Sequence, residues 1–251
     1  MDSPREKYLT IYGRKPVLEA LEGSMAVARV HVADNAGGDI VERILAAAKG
    51  RGVQVQRVSE RRVSSISRNG KQDQGVVADV AAPRMSSLMT FLEQRTGRDH
   101  ATAVLVLDGI HNPANLGMIL RTATAAGLDG IVVPDHGTAE IGPLTIKASA
   151  GVAFQAPILR IDRAEYALAQ LTDARFDVVA VDAGGDTLFD AALGERVALV
   201  LGNETAGISA ESLEYCTRTV SLPLTNGVES LNVAAAAAIV AYDVVRRRGR
   251  T

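Results

Sequence analysis

Asn115, Arg121, Glu204, Ser230 and Asn232 are the residues of this sequence best suited by type and place to do chemistry. A guanidinium grips phosphate or steadies developing negative charge, a carboxylate takes or orders a proton, and amides and hydroxyls orient both. They fall in three short segments. The first, DGIHNPANLGMILRTATAAG (residues 108–127), carries a turn signal at Asn112–Pro113, where the proline ring fixes φ. Asn115 suits the cap of a helix beginning near Leu116, which would put Arg121 on its first or second turn. A helix start and a guanidinium both suit phosphate. The second, LGNETAGIS (201–209), sets Glu204 between Gly202 and Gly207, which permit tight turning and close approach of main chain to a ligand. No GK[ST] follows, so it is not a phosphate-loop motif. The third, LPLTNGVESLNVAAAA (222–237), turns at Asn226–Gly227 and brings Ser230 and Asn232 to the start of the last helix. Singly, each segment also has a plain structural reading: a surface arginine, a solvated carboxylate, and Ser230 as a helix cap with alanines for close packing.

Each segment follows a strand-like run. Residues 103–107, 130–133, 177–181 and 197–201 read as strands, and 116–127, 144–150 and 164–173 as helices between them. That alternation predicts parallel βαβ units, whose ligands bind beyond the carboxyl ends of the strands. A last helix, from about Leu231 to Arg248, is apolar nearly all round, which predicts burial in a core or subunit interface, and its final arginines suit the negative end of its dipole. The first 82 residues read as a smaller α/β domain: a helix over 11–22 entered at Gly13–Pro16, strands over 27–33, 53–58 and 75–80, and a helix over 39–50. Residues 59–75 are polar and without lasting periodicity. Residues 83–99, with a short helix over 88–94, read as a linker between a domain of residues 1–82 and one of 100–251.

The composition narrows the class. Of 251 residues 47% are apolar and Trp is absent, an aliphatic bias that suits buried parallel strands. Cys216 stands alone and the four histidines are scattered, so neither a disulfide nor a zinc site is expected. No apolar run spans a bilayer, MDSPREKYLT lacks the apolar core of a signal peptide, and the expected location is the cytoplasm. Residues 1–99 hold 16 Lys/Arg against 12 Asp/Glu, and residues 100–251 hold 11 against 17, so the net charge of −2 conceals a weakly basic first part. Arg14, Lys15, Arg61, Arg62, Arg68 and Lys71 belong to it, but by charge alone each reads as solvated, and so weak an excess is a poor argument for nucleic acid.

Taken in order, the three segments resemble the SpoU family of RNA 2′-O-ribose methyltransferases, within the SPOUT class. NPANLGMILRTA follows the family's NPxNxGxIxRTA, LGNETAG supplies G-x-E-x-x-G, and LPLTNGVESLNVA matches a pattern ending in SLNVS. IYGRKPVLEAL and KQDQGVVADV are similar to the accessory domain of ribosomal-RNA members, a small α/β fold like certain ribosomal proteins.

The resemblance implies a parallel sheet with a C-terminal trefoil knot, a small N-terminal α/β substrate-binding domain, S-adenosylmethionine as cofactor, a homodimer formed through the knotted domain, and no metal. By position, Gly202, Leu222 and Leu231 would hold the cofactor through backbone groups, helped by Leu201, Asn203, Gly207, Pro223, Asn232 and Val233. Arg121 would be the catalytic arginine, with Asn115, Glu204, Ser230 and Asn232 completing the active site. Ala234 departs from the pattern, since many members carry a second serine there. The accessory domain favours 23S ribosomal RNA as substrate, with transfer RNA as the alternative, and it makes Arg14, Lys15, Arg61, Arg62, Arg68 and Lys71 the candidate RNA contacts, with solvated charge as the alternative for each. A non-catalytic RNA-binding or ribosome-assembly factor of the same fold is a rival of another class. A dinucleotide-binding oxidoreductase is disfavoured because no G-x-G-x-x-G follows the first strand of either domain.

Overall fold

A computed structural model describes residues 8–23, 25–82, 84–95 and 101–249. They form two compact units that part just before Arg84.

The first unit contains β1 (Tyr8–Tyr12), α1 (Arg14–Glu22), β2 (Val27–Ala33), α2 (Asp39–Gly50), β3 (Gln54–Val58), α3 (Glu60–Ser67) and β4 (Val76–Ala81). Its sheet runs β1-β4-β2-β3, and only β2 and β3 pair in parallel. Leu9 and Ile11 of β1 are buried, as are Val17, Leu18 and Leu21 of α1 and Val41 and Ile44 of α2. Two expectations need correction. Ile11 and Tyr12 belong to a strand, not to the first helix, because Gly13 at φ 94° breaks the chain between strand and helix. The polar segment after β3 holds a real helix, α3, started by Ser59, whose hydroxyl accepts the Arg62 N–H at 3.3 Å. Its periodicity is faint because only Val63 and Ser67 of its eight residues are buried.

The second unit contains β5 (Ser86–Ser87), α4 (Leu88–Glu93), β6 (Thr102–Leu107), α5 (Pro113–Ala125), β7 (Gly130–Pro134), α6 (Pro143–Ala148), β8 (Ile158–Ile161), α7 (Ala164–Asp173), β9 (Asp177–Thr187), β10 (Arg196–Leu201), α8 (Ala210–Leu213), β11 (Arg218–Ser221) and α9 (Val233–Arg247). The sheet order is β11-β9-β10-β6-β7-β8-β5, and every pairing between described strands is parallel. All six residues of β6 are buried, as a central strand covered on both faces must be. Val104, Val106, Val132, Ala198 and Val200 share one core with Leu168 and Leu171 of α7 and Phe176 and Val178. Within the segment expected as a linker, Ser86–Ser87 pairs with β8 and α4 follows directly. Its charged stretch 96–100 lies outside the described residues. Strands β8 and β11 are too short, and too mixed in character, to stand out by alternation.

Two helix starts also differ from expectation. Helix α5 begins at Pro113, capped by Asn112, whose side-chain oxygen accepts the Ala114 N–H at 2.8 Å. Proline at the first helical position loses no bond, since that N–H has no intrahelical partner. Asn115 is therefore not a cap. Helix α9 begins at Val233 and its cap is Asn232, not Ser230. At its other end Arg246 and Arg247 turn inward onto the buried Asp243, and Arg247 also donates to the Leu188 and Ala191 carbonyls. These basic residues lock the helix end to the chain after β9 as well as answering its dipole.

Candidate active site

The strand order sets the loops after β6 and β10 side by side, because these strands pair in register from Arg196↔Thr102 to Leu201↔Leu107. Pairing continues one step further, with Asp108 N–H donating to the Leu201 carbonyl at 2.9 Å. Beyond β10 the chain closes a small loop in which Asn203 and Gly207 exchange two backbone hydrogen bonds of 2.9 Å. The Asn203 side chain holds this loop from inside and outside. Its oxygen accepts the Thr205 and Ala206 N–H groups, and its amide donates to the Gly109 carbonyl at 2.9 Å. Gly202 is obligatory here: a Cβ would lie 2.3 Å from main-chain atoms of Gly207 and Ile208.

Asn115, freed from capping, is the hub of the site. It is 5% exposed. Its amide donates to Glu204 Oε1, and its oxygen accepts from the Asn232 amide at 3.1 Å. The Asn232 oxygen in turn accepts the Ala234 N–H at 2.9 Å, capping α9. One side chain thus joins all three segments that the sequence singled out. A buried amide with both ends bonded is worth far more than one half satisfied, so each partner fixes the others.

The other expected residues are placed differently. Arg121 lies on the exposed side of α5 and makes no hydrogen bond or ion pair among the described residues. Ser230 is exposed and caps nothing. Leu222 and Leu231 are half-buried, Leu201 and Val233 buried, and Pro223 exposed. Asn226 (φ 58°) and Gly227 (φ 73°) form the turn, closed by Val228 N–H on the Thr225 carbonyl at 3.2 Å. That is the only main-chain hydrogen bond among the described residues between Pro223 and Ser230. Ala234 is buried, and its N–H is already satisfied by Asn232.

Sequence reasoning missed one anchor. Asp108 Oδ2 accepts both the N–H (2.9 Å) and the hydroxyl (2.7 Å) of Ser209, at the far end of the β10 loop. No local pattern signals a pairing between residues so far apart. Cys216 lies nearby; burial, then the Asp108 charge, push its thiol up to about 11.

In the first unit, Arg14 spends its guanidinium on the Gln74 and Gly37 carbonyls at 3.2 and 3.1 Å, tying the start of α1 to the loop before β4. It is a tether rather than a free cation. Side chains tie that loop down: buried Asp73 accepts the Ser67 hydroxyl (2.8 Å) and the Gly75 N–H (2.9 Å), while Asn69 donates to the Tyr12 hydroxyl (3.0 Å). Lys15, Arg61, Arg62, Arg68 and Lys71 are exposed, with no side-chain partner among the described residues. Among those residues no group of three or more His, Cys, Asp or Glu could hold a metal ion, and no helix is long and apolar enough to cross a membrane.

The model of the SpoU rRNA methylase family matches residues 102–242, and that of the RNA 2′-O ribose methyltransferase substrate-binding domain matches residues 10–86. An uncharacterised tRNA/rRNA methyltransferase of Mycolicibacterium gilvum is 34% identical over 95% of this chain and 76% of its own length. One of Synechocystis is 33% identical over 95% of this chain, which spans 62% of that protein. The crystal structure of an rRNA methyltransferase from Sinorhizobium meliloti with AdoMet bound is 27% identical, covers 97% of this chain and 88% of its own, and superposes with a TM-score of 0.65.

Proposed function

Because this chain belongs to the SpoU methylase family, whose members use S-adenosylmethionine, we propose that it methylates a ribose 2′-hydroxyl in RNA, with 23S ribosomal RNA as the target class. The observation that carries the reading is the Asn115 hub, which gathers the three family segments into one site. The ribosomal target is supported by the substrate-binding match over residues 10–86 and by the similarity to the Sinorhizobium rRNA enzyme across both units.

S-adenosylmethionine supplies an activated methyl group on a sulfonium. The chain's own residues must seat that cofactor, bring the ribose oxygen in line, and deal with its proton. Main-chain groups of Gly202, Leu222 and Leu231 hold the cofactor, with Leu201, Asn203, Gly207, Pro223, Asn232 and Val233 shaping the seat. Glu204, Asn115 and Asn232 fix that seat against α5. Arg121, exposed and without a carboxylate partner among the described residues, is a cation ready for the RNA phosphate and for the developing alkoxide. Ser230 meets the substrate from the loop before α9.

RNA is held through Lys15, Arg61, Arg62, Arg68 and Lys71, with Arg14 keeping the two sides of that surface together. A second copy of the chain covers α5 and α9, which pack on each other and leave Met118 41% and Tyr242 52% exposed. The trefoil knot belongs to the same reading and rests on membership of the SpoU family.

The test is transfer of label from radioactive S-adenosylmethionine to unmodified ribosomal and transfer RNA, beside Arg121→Ala. Label at a site that resists alkaline cleavage establishes 2′-O-methylation and shows the RNA class. Cofactor binding without transfer to either RNA overturns the reading in favour of a non-catalytic RNA-binding factor.

A further inference from the structure

Asp108 is a half-buried carboxylate with no ion pair among the described residues. A carboxylate withdrawn from water costs free energy unless strong donors replace the lost hydration. Here one residue supplies them: Ser209 N–H and Oγ both donate to Oδ2, at 2.9 and 2.7 Å. The neighbouring Gly109 carbonyl receives the Asn203 amide at 2.9 Å. The Asp108–Gly109 turn therefore grips the β10 loop at both ends, Asn203 and Ser209, while Asn203 and Gly207 close the loop between them. Elsewhere on that loop the only long-range side-chain bond among the described residues is the one from Asn115 to Glu204.

We propose that Asp108 is a positioning residue for cofactor binding: by clamping Ser209 it sets the height of the Gly202–Gly207 loop, and thereby the main-chain groups that meet S-adenosylmethionine. This rests on the reading that Gly202 and its neighbours hold the cofactor. Acting through the loop, Asp108 governs cofactor affinity and leaves the chemical step alone. Both bonds arrive at a single oxygen, so an amide oxygen in the same place serves as well.

The experiment is calorimetric titration of the full chain with S-adenosylmethionine, with KM and kcat for methyl transfer, for Asp108→Ala, Asp108→Asn, Ser209→Ala and Gly202→Ala. Asp108→Ala weakens binding about tenfold and raises the cofactor KM in step, with kcat at saturating cofactor within about twofold. Asp108→Asn restores affinity to within about threefold, and Ser209→Ala, which keeps the N–H bond, loses about threefold. Equal loss in the Asn and Ala variants, or loss of kcat at unchanged affinity, overturns the proposal. Should Asp108→Ala fail to fold, unchanged affinity in Ser209→Ala overturns it instead. Gly202→Ala separates the two levels: if it binds normally, the cofactor loop is misassigned and the proposal falls with it. If it fails to bind while Asp108→Ala binds normally, only the role of Asp108 is wrong.

Discussion

The Asn232 amide reaches Asn115, 117 positions earlier in the chain, at 3.1 Å, while its own side-chain oxygen caps α9. The start of the last helix and the first turn of α5 are thereby fixed by one pair of amides, and Glu204 joins them through the remaining end of Asn115.

Asn115→Asp keeps the size of the side chain and exchanges its donor for a second carboxylate facing Glu204. We predict a fall in methyl transfer of about 10–100-fold, as for one lost hydrogen bond to a charged group, with the melting temperature lowered by a few degrees. Asn115→Ala should be as damaging. Transfer kinetics beside a melting curve separate the two effects.

Arg121→Lys retains the positive charge and removes the planar fork. We predict a loss of about tenfold or more in kcat/KM, with RNA affinity changed little. Near-full activity at unchanged RNA affinity would rule out both a fork-dependent grip and a special base.

Asp177 binds three elements together: it accepts the Gly194 N–H at 3.1 Å and the Thr217 hydroxyl at 2.9 Å, and it pairs with Arg218. Burial pushes its carboxyl up, but these bonds and the Arg218 charge outweigh that and hold it below the ordinary 3.8. A depressed folded value means stability that is present above the unfolded value and lost as pH falls through the folded one. Asp177→Asn should cost about 1–2 kcal/mol at neutral pH and flatten the acid limb below pH ~4 in denaturant titrations.

His31, buried in β2, is held below its usual 6.5, first by burial and further by the Arg29 and Arg62 charges, against the opposing pull of Asp79. The sign again favours the folded state at higher pH, so the first unit loses stability as pH falls below about 6.5. His31→Gln should remove that dependence between pH ~7.5 and ~5.5.

The exposed cations of the first unit make a prediction about salt. Replacing Arg68 and Lys71 with alanine should weaken RNA binding and lower the slope of log affinity against log salt by about one to two. An unchanged slope would show that these two residues touch no phosphate.

The sequence by itself determined the class of the second unit and marked the three segments that meet at Asn115. Buried parallel strands are continuous apolar runs, and close approach of main chain to a ligand demands glycine at particular positions, so both leave a local mark. It also marked the turn at Asn226–Gly227, where two consecutive left-handed residues are required. The tertiary structure decided which polar residue does what. Asn112, Asn115, Ser230 and Asn232 are all competent caps by type. Only the packing of α5 beside α9 sent Asn115 inward as the hub, made Asn112 and Asn232 the caps, and left Ser230 in solvent. The clamp of Asp108 on Ser209 was hidden for the same reason. A hydrogen bond across a hundred residues depends on two loops meeting in space, and no local periodicity records that meeting.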